Sequence, residues 1–327
     1  MIQPIELRRE LPMQVHNGMS TTTKVWEILS ASKIGDLQRV EELVAAEPGL
    51  VYAQYNYTPP IHFAVREGHI DLVEYLLLEQ GALDPTYRIY PFQESLLTIA
   101  KDRNEDMIAG LLQQYLEDPS LHKCGKDNGA IEYNRTQQEK DFEQAVDKED
   151  LQATAQLLKE NPALALDETF FWSEGILTMP AKEANYQLME LLMSYGAKVP
   201  GVLKWTQFYY FERYDSAVFL MEHGMNPDTM SWHHVTLLHD MAQKGHLDKA
   251  ALLLKHGAQI DPIDEEYWST PLGLAAKWGQ EEMVDFLLRQ GADPNKAGAP
   301  WATPLAWATR RGHTAIIALL KQYNAYE

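Results

Sequence analysis

The stretch Thr270-Pro-Leu-Gly-Leu-Ala-Ala-Lys-Trp-Gly279, which continues as Gln280-Glu-Glu-Met-Val-Asp-Phe-Leu-Leu-Arg-Gln-Gly-Ala-Asp-Pro-Asn295, decides the fold. It predicts a turn, a short helix, a glycine break and then a second helix striped by Val284, Leu287 and Leu288. Neither predicted helix is long enough to bury its apolar face alone. The unit therefore has to stack on similar units.

Similar units recur along the chain. One begins at Thr303, 33 residues after Thr270, and others carry Leu237-Leu238-His239 and Pro60-Ile61-His62. Each of these is followed by a Gly-His pair. The pattern resembles the ankyrin repeat, in which a TPLHxA segment, a Gly-His break, an apolar second helix and a GAD finger recur with a period near 33. The resemblance implies an all-α solenoid of stacked helix-turn-helix units with finger hairpins, about nine repeats in all.

The spacing of the repeats predicts four segments. Residues 1–21 are an N-terminal arm, which is either flexible or packed over the first repeat. Repeats 1–3 occupy residues 22–118, and repeats 4–9 occupy residues 139–327. Between them the spacing exceeds one period by about 12 residues, which predicts an insertion at 119–138. The insertion is either an exposed loop or a lid over the concave face.

Composition restricts the partners and the compartment. The net charge of −19 repels phosphate backbones, so we expect no nucleic acid partner. The single cysteine, Cys124, excludes an internal disulfide framework and favours a reducing, cytoplasmic location. No run of about 18 apolar residues is present, so we expect no membrane span. Capping repeats at both ends favour a monomer.

Aromatic and imidazole side chains occupy finger positions that are usually small in this family. Tyr57, His234, Trp268 and Trp301 lie two residues before the TPLH-type turn. Trp172 and Trp232 lie at nearby finger positions. Exposed aromatic side chains are favoured at binding hot spots, but the rings can also stack on neighbouring fingers as a structural ladder. Both interpretations remain open, and they are compatible.

The most unusual segment is the aromatic run from Trp205 to Tyr214, which includes Tyr209 and Tyr210. First helices of ankyrin repeats normally carry alanine where neighbouring repeats touch. Bulky rings there either line a ligand groove or fill a repacked core in degenerate repeats. The sequence leaves this choice open.

Three residue pairs precede the glycine breaks of the last repeats: Gln243-Lys244, Lys277-Trp278 and Arg310-Arg311. In this family such positions face the concave side, so the pairs predict a basic stripe beside Trp278. The stripe either receives a carboxylate or acidic peptide, or pairs internally with the acidic tip 264–266. Without such pairing, an acidic tip of this kind is expected to be solvated.

The sequence contains no HExxH, GxSxG, P-loop or GxGxxG motif, so no catalytic residue is assigned and the chain is expected not to be an enzyme. His239 is expected to make the turn hydrogen bond of its repeat rather than bind metal. No cofactor and no metal ion are expected.

The resemblance implies a non-catalytic scaffold that binds another protein or a peptide through its fingers and concave face. The alternative is an enzyme or small-molecule binder whose aromatic pocket is formed by degenerate repeats 5–7. The expected binding residues are Trp172, Trp205, Tyr209, Tyr210, Trp232, His234, Trp268, Lys277, Trp278, Trp301, Arg310 and Arg311.

Overall fold

The computed structural model describes residues 1–89, 92–123, 129–204 and 209–326. The chain divides into two compact units. The N-terminal unit is Ile5–Asn134, and the C-terminal unit combines Met1–Pro4 with Arg135–Glu327. Trp205 and Cys124 lie outside the described residues.

Consecutive helix pairs form most of the N-terminal unit. Its α-helices are α1 (Thr22–Ile34), α2 (Leu37–Ala46), α3 (Pro60–Arg66), α4 (Ile70–Glu74), α5 (Leu96–Asp102) and α6 (Asp106–Glu117). A π-helical turn, Tyr75–Glu79, extends α4. Shorter 3-10 helices are Ile5–Arg8, Pro48–Tyr52 and Pro119–Leu121. The first helices α1, α3 and α5 contact one another in sequence order, and each also contacts its own second helix.

The predicted arm contains a β-hairpin. Strand β1 (Pro12–Val15) pairs antiparallel with β2 (Gly18–Thr21), and both strands contact α1. Met13 is fully buried. Thr21 then caps α1 by accepting the backbone N–H of Lys24. Most of the arm is therefore ordered structure of the N-terminal unit.

The C-terminal part of the predicted insertion pairs with β1. The N–H of Gln14 donates to the carbonyl of Ala130 (2.8 Å), and the N–H of Glu132 donates to the carbonyl of Pro12 (2.9 Å). Met13 and Ile131 form the corresponding β-bridge. The described residues around 130 thus lie along one edge of the hairpin.

The C-terminal unit is also built from helix pairs. Its α-helices are α7 (Gln137–Asp147), α8 (Leu151–Glu160), α9 (Phe170–Ser173), α10 (Thr178–Glu183), α11 (Tyr186–Ser194), α12 (Tyr214–Glu222), α13 (Leu237–Lys244), α14 (Leu247–Lys255), α15 (Pro271–Lys277), α16 (Glu281–Arg289), α17 (Pro304–Arg311) and α18 (Thr314–Gln322). Two-residue strands β3 (Val202–Leu203) and β4 (Met230–Ser231) pair in parallel, and 3-10 helices span Pro162–Leu166 and Pro300–Ala302.

The helix boundaries follow from the repeat pattern. Thr270 and Thr303 cap α15 and α17 by accepting backbone N–H groups from the first turn of each helix. Gly312 ends α17 with a left-handed φ of 74°. Ala275 and Ala276 are fully buried, and such small residues let α15 approach both α13 and α17 closely. This spacing fixes the surface on which the finger and inner-face side chains lie.

The aromatic run departs from the repeat pattern. Among the described residues between α11 and α12 there is no helix, only β3. Tyr210 and Phe211 are buried in the core of the C-terminal unit, which also contains Ala217 and Leu220 of α12.

None of the helices in the described part of the chain combines the length and the apolar character that a membrane span requires.

Candidate functional site

Three of the finger residues have a left-handed backbone. The φ angles are 62° at Tyr57, 59° at His234 and 52° at Trp268. Glycine adopts this conformation without strain, whereas a side chain costs roughly 1–2 kcal/mol there. Trp268 nevertheless keeps 38% of its surface exposed. The sequence pattern identified this position but not its backbone conformation.

Trp172 lies in a second left-handed segment. Phe171, Trp172 and Ser173 have φ angles of 46°, 60° and 66°. The Trp172 side chain is 55% exposed, and its ring stacks on Tyr209 with centroids 6.2 Å apart and planes 24° from parallel. Three consecutive residues in this conformation hold an aromatic pair at the surface of the C-terminal unit.

Tyr210 has a different environment from its neighbour Tyr209. It is buried, and its hydroxyl donates to the Glu174 carbonyl and lies 3.0 Å from the Thr178 hydroxyl. Burial raises the pKa of this phenol above its ordinary value. His233, which follows Trp232, instead contacts Glu266.

The acidic tip at 264–266 was expected to be solvated, but two of its three carboxyl groups, those of Asp264 and Glu266, are buried. Asp264 is buried and accepts the backbone N–H groups of Tyr267 (2.7 Å) and Ser269 (3.1 Å). Burial raises the pKa of this carboxyl to about 7, against the lowering effect of the two N–H donors. Asp264 thus shapes the finger turn that carries Trp268.

The other two carboxylates of the tip lie next to imidazole rings. Glu265 lies 3.0 Å from Nδ1 of His234, and the buried Glu266 contacts Nδ1 of His233. Trp232 is buried, with its ring centroid 3.9 Å from that of His233. The tip therefore joins two neighbouring fingers, and Trp232 supports this junction instead of presenting its ring to solvent.

Lys277 lies inside an aromatic cage. Its ammonium is 4.3 Å from the Trp307 ring centroid, 4.8 Å from Tyr267 and 4.9 Å from Trp278, and the residue is only 3% exposed. Cation–π attraction is strongest for such a desolvated ammonium. The Trp301 ring meets Trp307 edge to face at 5.8 Å. Lys277 is thus an internal part of the surface rather than an exposed charge.

The expected basic stripe is divided. Lys244 pairs with the buried Asp240 at 3.0 Å, and Lys277 is caged. Arg310 is exposed, and Arg311 is half-buried. Both guanidinium groups lie near the Trp307 ring, at 4.8 Å and 5.9 Å. The arginines at the end of α17 are therefore the accessible part of the stripe.

The TPLH-type histidine acts as the sequence predicts. His239 is buried, with Nδ1 2.9 Å from the Thr236 hydroxyl and Nε2 3.1 Å from the Ser269 carbonyl. Burial lowers its pKa to about 4, so the ring is neutral at pH 7.

Sequence reasoning missed two residues that shape this surface, Asp240 and Tyr267. Burial raises the pKa of Asp240 to about 6, against the lowering effect of Lys244. Tyr267 forms one wall of the cage beside Lys277. Asp240 occupies a first-helix position where other repeats carry Leu274 or Trp307, and this departure is the signal that could have drawn attention to it.

Comparison with protein families identifies ankyrin repeats in the chain. A model of three ankyrin repeats matches residues 210–298, and a single-repeat model matches residues 57–88. The chain therefore contains ankyrin repeats, and its mainly helical structure agrees with an all-α fold.

Curated proteins with similar segments include Arf GTPase-activating proteins. The human ARF GTPase-activating protein GIT1 is 37% identical over 76 residues, which cover 23% of this chain and 10% of that protein. The rabbit Arf-GAP with coiled-coil, ANK repeat and PH domain-containing protein 2 is 35% identical over 109 residues, covering 33% and 13%. The Drosophila melanogaster protein Git is 35% identical over 79 residues, covering 24% and 11%. The chain thus spans only about a tenth of the length of these relatives.

Proposed function

We propose that this ankyrin-repeat chain is a non-catalytic scaffold that binds another protein or a peptide. The partner lies across the fingers and inner face of the C-terminal unit. The observation that carries the proposal is the left-handed backbone at the exposed Trp268, with φ of 52°. Residues held in strained backbone conformations by their surroundings cluster at binding and catalytic sites. An exposed indole on a strained finger is therefore more consistent with a contact residue than with a surface filler.

The residues of the site have two roles in this proposal. Exposed or half-buried side chains contact the partner, and buried ones hold them in place. The contact residues are Trp172, Tyr209, His234, Trp268, Trp278, Trp301, Arg310 and Arg311, and the supporting residues are Tyr210, Trp232 and Lys277. Because the supporting groups fix the surface before binding, little conformational entropy is lost when the partner docks.

The proposal extends to the organisation of the whole chain. It comprises about nine repeats, three in residues 22–118 and six in residues 139–327, after an arm at 1–21 and with an insertion at 119–138. It works in the cytoplasm as a monomer and does not bind nucleic acid. Ankyrin-repeat domains are generally non-catalytic, which agrees with the scaffold.

The experiment captures partners from a native lysate on the immobilised full chain and identifies them by mass spectrometry. We expect Trp268→Ala and Trp268→Gly to lose the captured proteins equally, because both remove the indole. Tyr323→Ala is the matched control, since Tyr323 is also partly exposed but lies just after α18 and is not one of the proposed contact residues. It should capture what the unaltered chain captures.

The two Trp268 variants also test the backbone argument. Glycine relieves the left-handed strain that alanine retains, so Trp268→Gly should be the more stable of the two by about 1 kcal/mol in urea unfolding. If a folded Trp172→Ala, Trp268→Ala double variant captured the same proteins as the unaltered chain, the finger surface would not be the binding site.

A further inference from the structure

A cavity of about 550 Å³ lies beside α17, at the last helix pair of the C-terminal unit. Its size falls within the range of ligand sites, roughly 300–1,000 Å³. Leu305, Ala306 and Pro300 supply apolar lining, and Arg310 supplies a cation. Thr303, Ala306 and Arg310 share one face of α17 because they are spaced three and four residues apart.

The guanidinium of Arg310 is held in place before any ligand binds. It lies 4.8 Å from the Trp307 ring, and both terminal nitrogens are 3.4 Å from the Trp301 carbonyl oxygen. Trp307 is itself fully buried, and its indole N–H donates to the Ser269 hydroxyl at 2.7 Å. A planar guanidinium held beside a fixed ring is well arranged to receive a carboxylate through two N–H donors.

The charge around the cavity is opposite to that of the molecule. The chain has a net charge of −19, yet residues 291–327 contain four Lys or Arg residues and only two acidic residues, Asp293 and Glu327. Lys277 and Arg311 add positive charge around the same Trp307 ring, at 4.3 Å and 5.9 Å. A local positive potential in an acidic protein selects an anionic group at this position.

The lining selects the kind of anion. Apolar side chains make up much of the wall, with Arg310 as a single cation among them. Nucleic acid binding depends on many phosphate contacts, and the −19 net charge opposes it. A carboxylate attached to an apolar body matches both the cation and the wall.

We propose that this cavity binds an Asp or Glu side chain of the partner together with an adjacent large apolar side chain. The inference rests on the proposed scaffold function and names the chemistry of the partner segment. Arg310 pairs with the carboxylate, and Pro300 and Ala306 contact the neighbouring apolar group.

The test measures binding of the dipeptide N-acetyl-Glu-Phe-amide to the full chain by ligand-observed saturation-transfer NMR. The uncharged N-acetyl-Gln-Phe-amide is the matched probe. We expect the Glu peptide to bind about tenfold more tightly, because a charge-assisted pair is lost with glutamine. Arg310→Ala should lower the affinity for the Glu peptide by a similar factor, and Arg310→Lys should lower that affinity less. Arg289→Ala is the control, because Arg289 is exposed and pairs with Asp285 on α16.

A second variant tests the cavity itself. Ala306→Trp fills the space and keeps Arg310, so it should abolish binding of both peptides while circular dichroism shows an intact fold. Equal affinity of the two peptides, or unchanged binding in Arg310→Ala, overturns the proposal. Inorganic phosphate that competes as well as the Glu peptide also overturns it, since the site is then a small-anion site.

Failure of the acidic-segment proposal can be distinguished from failure of the proposed scaffold function. If Arg310→Ala still captures proteins from lysate in a Trp268-dependent manner while the peptides do not bind, the scaffold stands and the acidic-segment proposal is wrong.

Discussion

At the scale of single residues, the C-terminal unit buries more ionisable groups than a repeat core requires. Asp240, Asp264, Glu266, His239 and Lys277 are each at most 3% exposed. Burying a charged group costs free energy unless the group is paired or hydrogen-bonded. We therefore expect these groups to lower the free energy of unfolding. These five lie near the proposed contact residues, and other ionisable groups, such as Arg66 and Asp102, are buried in the N-terminal unit.

Asp240 provides a direct test of this cost. Its folded pKa of about 6 exceeds the ordinary value of 3.8, so its contribution to stability is full below pH 4 and is lost as the pH rises through 6. Asp240→Asn removes the ionisation. The variant should be more stable than the unaltered chain at pH 8, by at most about 3 kcal/mol.

The pH profile distinguishes this cost from a simple packing change. The advantage of Asp240→Asn should grow by about 1 kcal/mol between pH 5 and pH 7 and then level off, as measured by urea unfolding. Asp248→Asn, at an exposed position on α14, is the control for removing a carboxylate outside the core. A pH-independent difference, or a variant that is less stable at pH 8, contradicts the argument.

At the scale of an element, the finger between α14 and α15 depends on Asp264. Its two carboxylate oxygens accept the N–H groups of Tyr267 and Ser269. Asp264→Ala leaves both buried donors without this acceptor, at roughly 1–3 kcal/mol each. We therefore expect a loss of about 3 kcal/mol in the free energy of unfolding.

Asp293→Ala is the matched comparison, because Asp293 also accepts a backbone N–H, from Asn295, but is exposed. Water replaces its hydrogen bond, so the loss should be below about 1 kcal/mol. Equal losses in the two variants would mean that the finger does not depend on the buried carboxylate.

The elements themselves could be predicted from sequence because their signals are local. The Thr caps, the glycine breaks and the Leu287 stripe indicate α15, α16 and α17 without reference to distant residues. The role of Asp264 is different. An acidic tip is solvated or buried according to which neighbouring finger covers it, and His233 of the preceding finger does so here. That information is not present in the local pattern.

The same limit applies to the candidate site. Aromatic fingers could be recognised by comparison between repeats, but the burial of Lys277 depends on three rings from three positions along the chain, Tyr267, Trp278 and Trp307. The burial of individual rings in the aromatic run could not be predicted either. Without a repeat consensus there, the sequence could not show that Tyr210 is buried while Tyr209 reaches the surface.

At the scale of the whole molecule, each helix pair contacts mainly its neighbours. The second helices α14, α16 and α18 contact in that order, as do the first helices α13, α15 and α17. In such an array, the total stability is a sum of the stabilities of the units and of the interfaces between neighbours. A destabilising substitution should therefore affect its own unit and the adjacent units most.

Two substitutions of the same kind should therefore act over different distances. Leu320 in α18 and Leu287 in α16 are both fully buried, and replacement by alanine removes roughly 2–5 kcal/mol of local stability at either site. Leu320→Ala should accelerate amide hydrogen exchange in α17 and α18 but leave α13 unchanged. Leu287 belongs to a helix pair with neighbours on both sides, because α16 contacts both α14 and α18. Leu287→Ala should therefore accelerate exchange from α13 to α18. Leu247→Ala, at a partly exposed site on α14, serves as the control with little effect. If Leu320→Ala accelerated exchange in α13 as strongly as in α18, the unit would unfold as a single cooperative block, and nearest-neighbour coupling would not describe it.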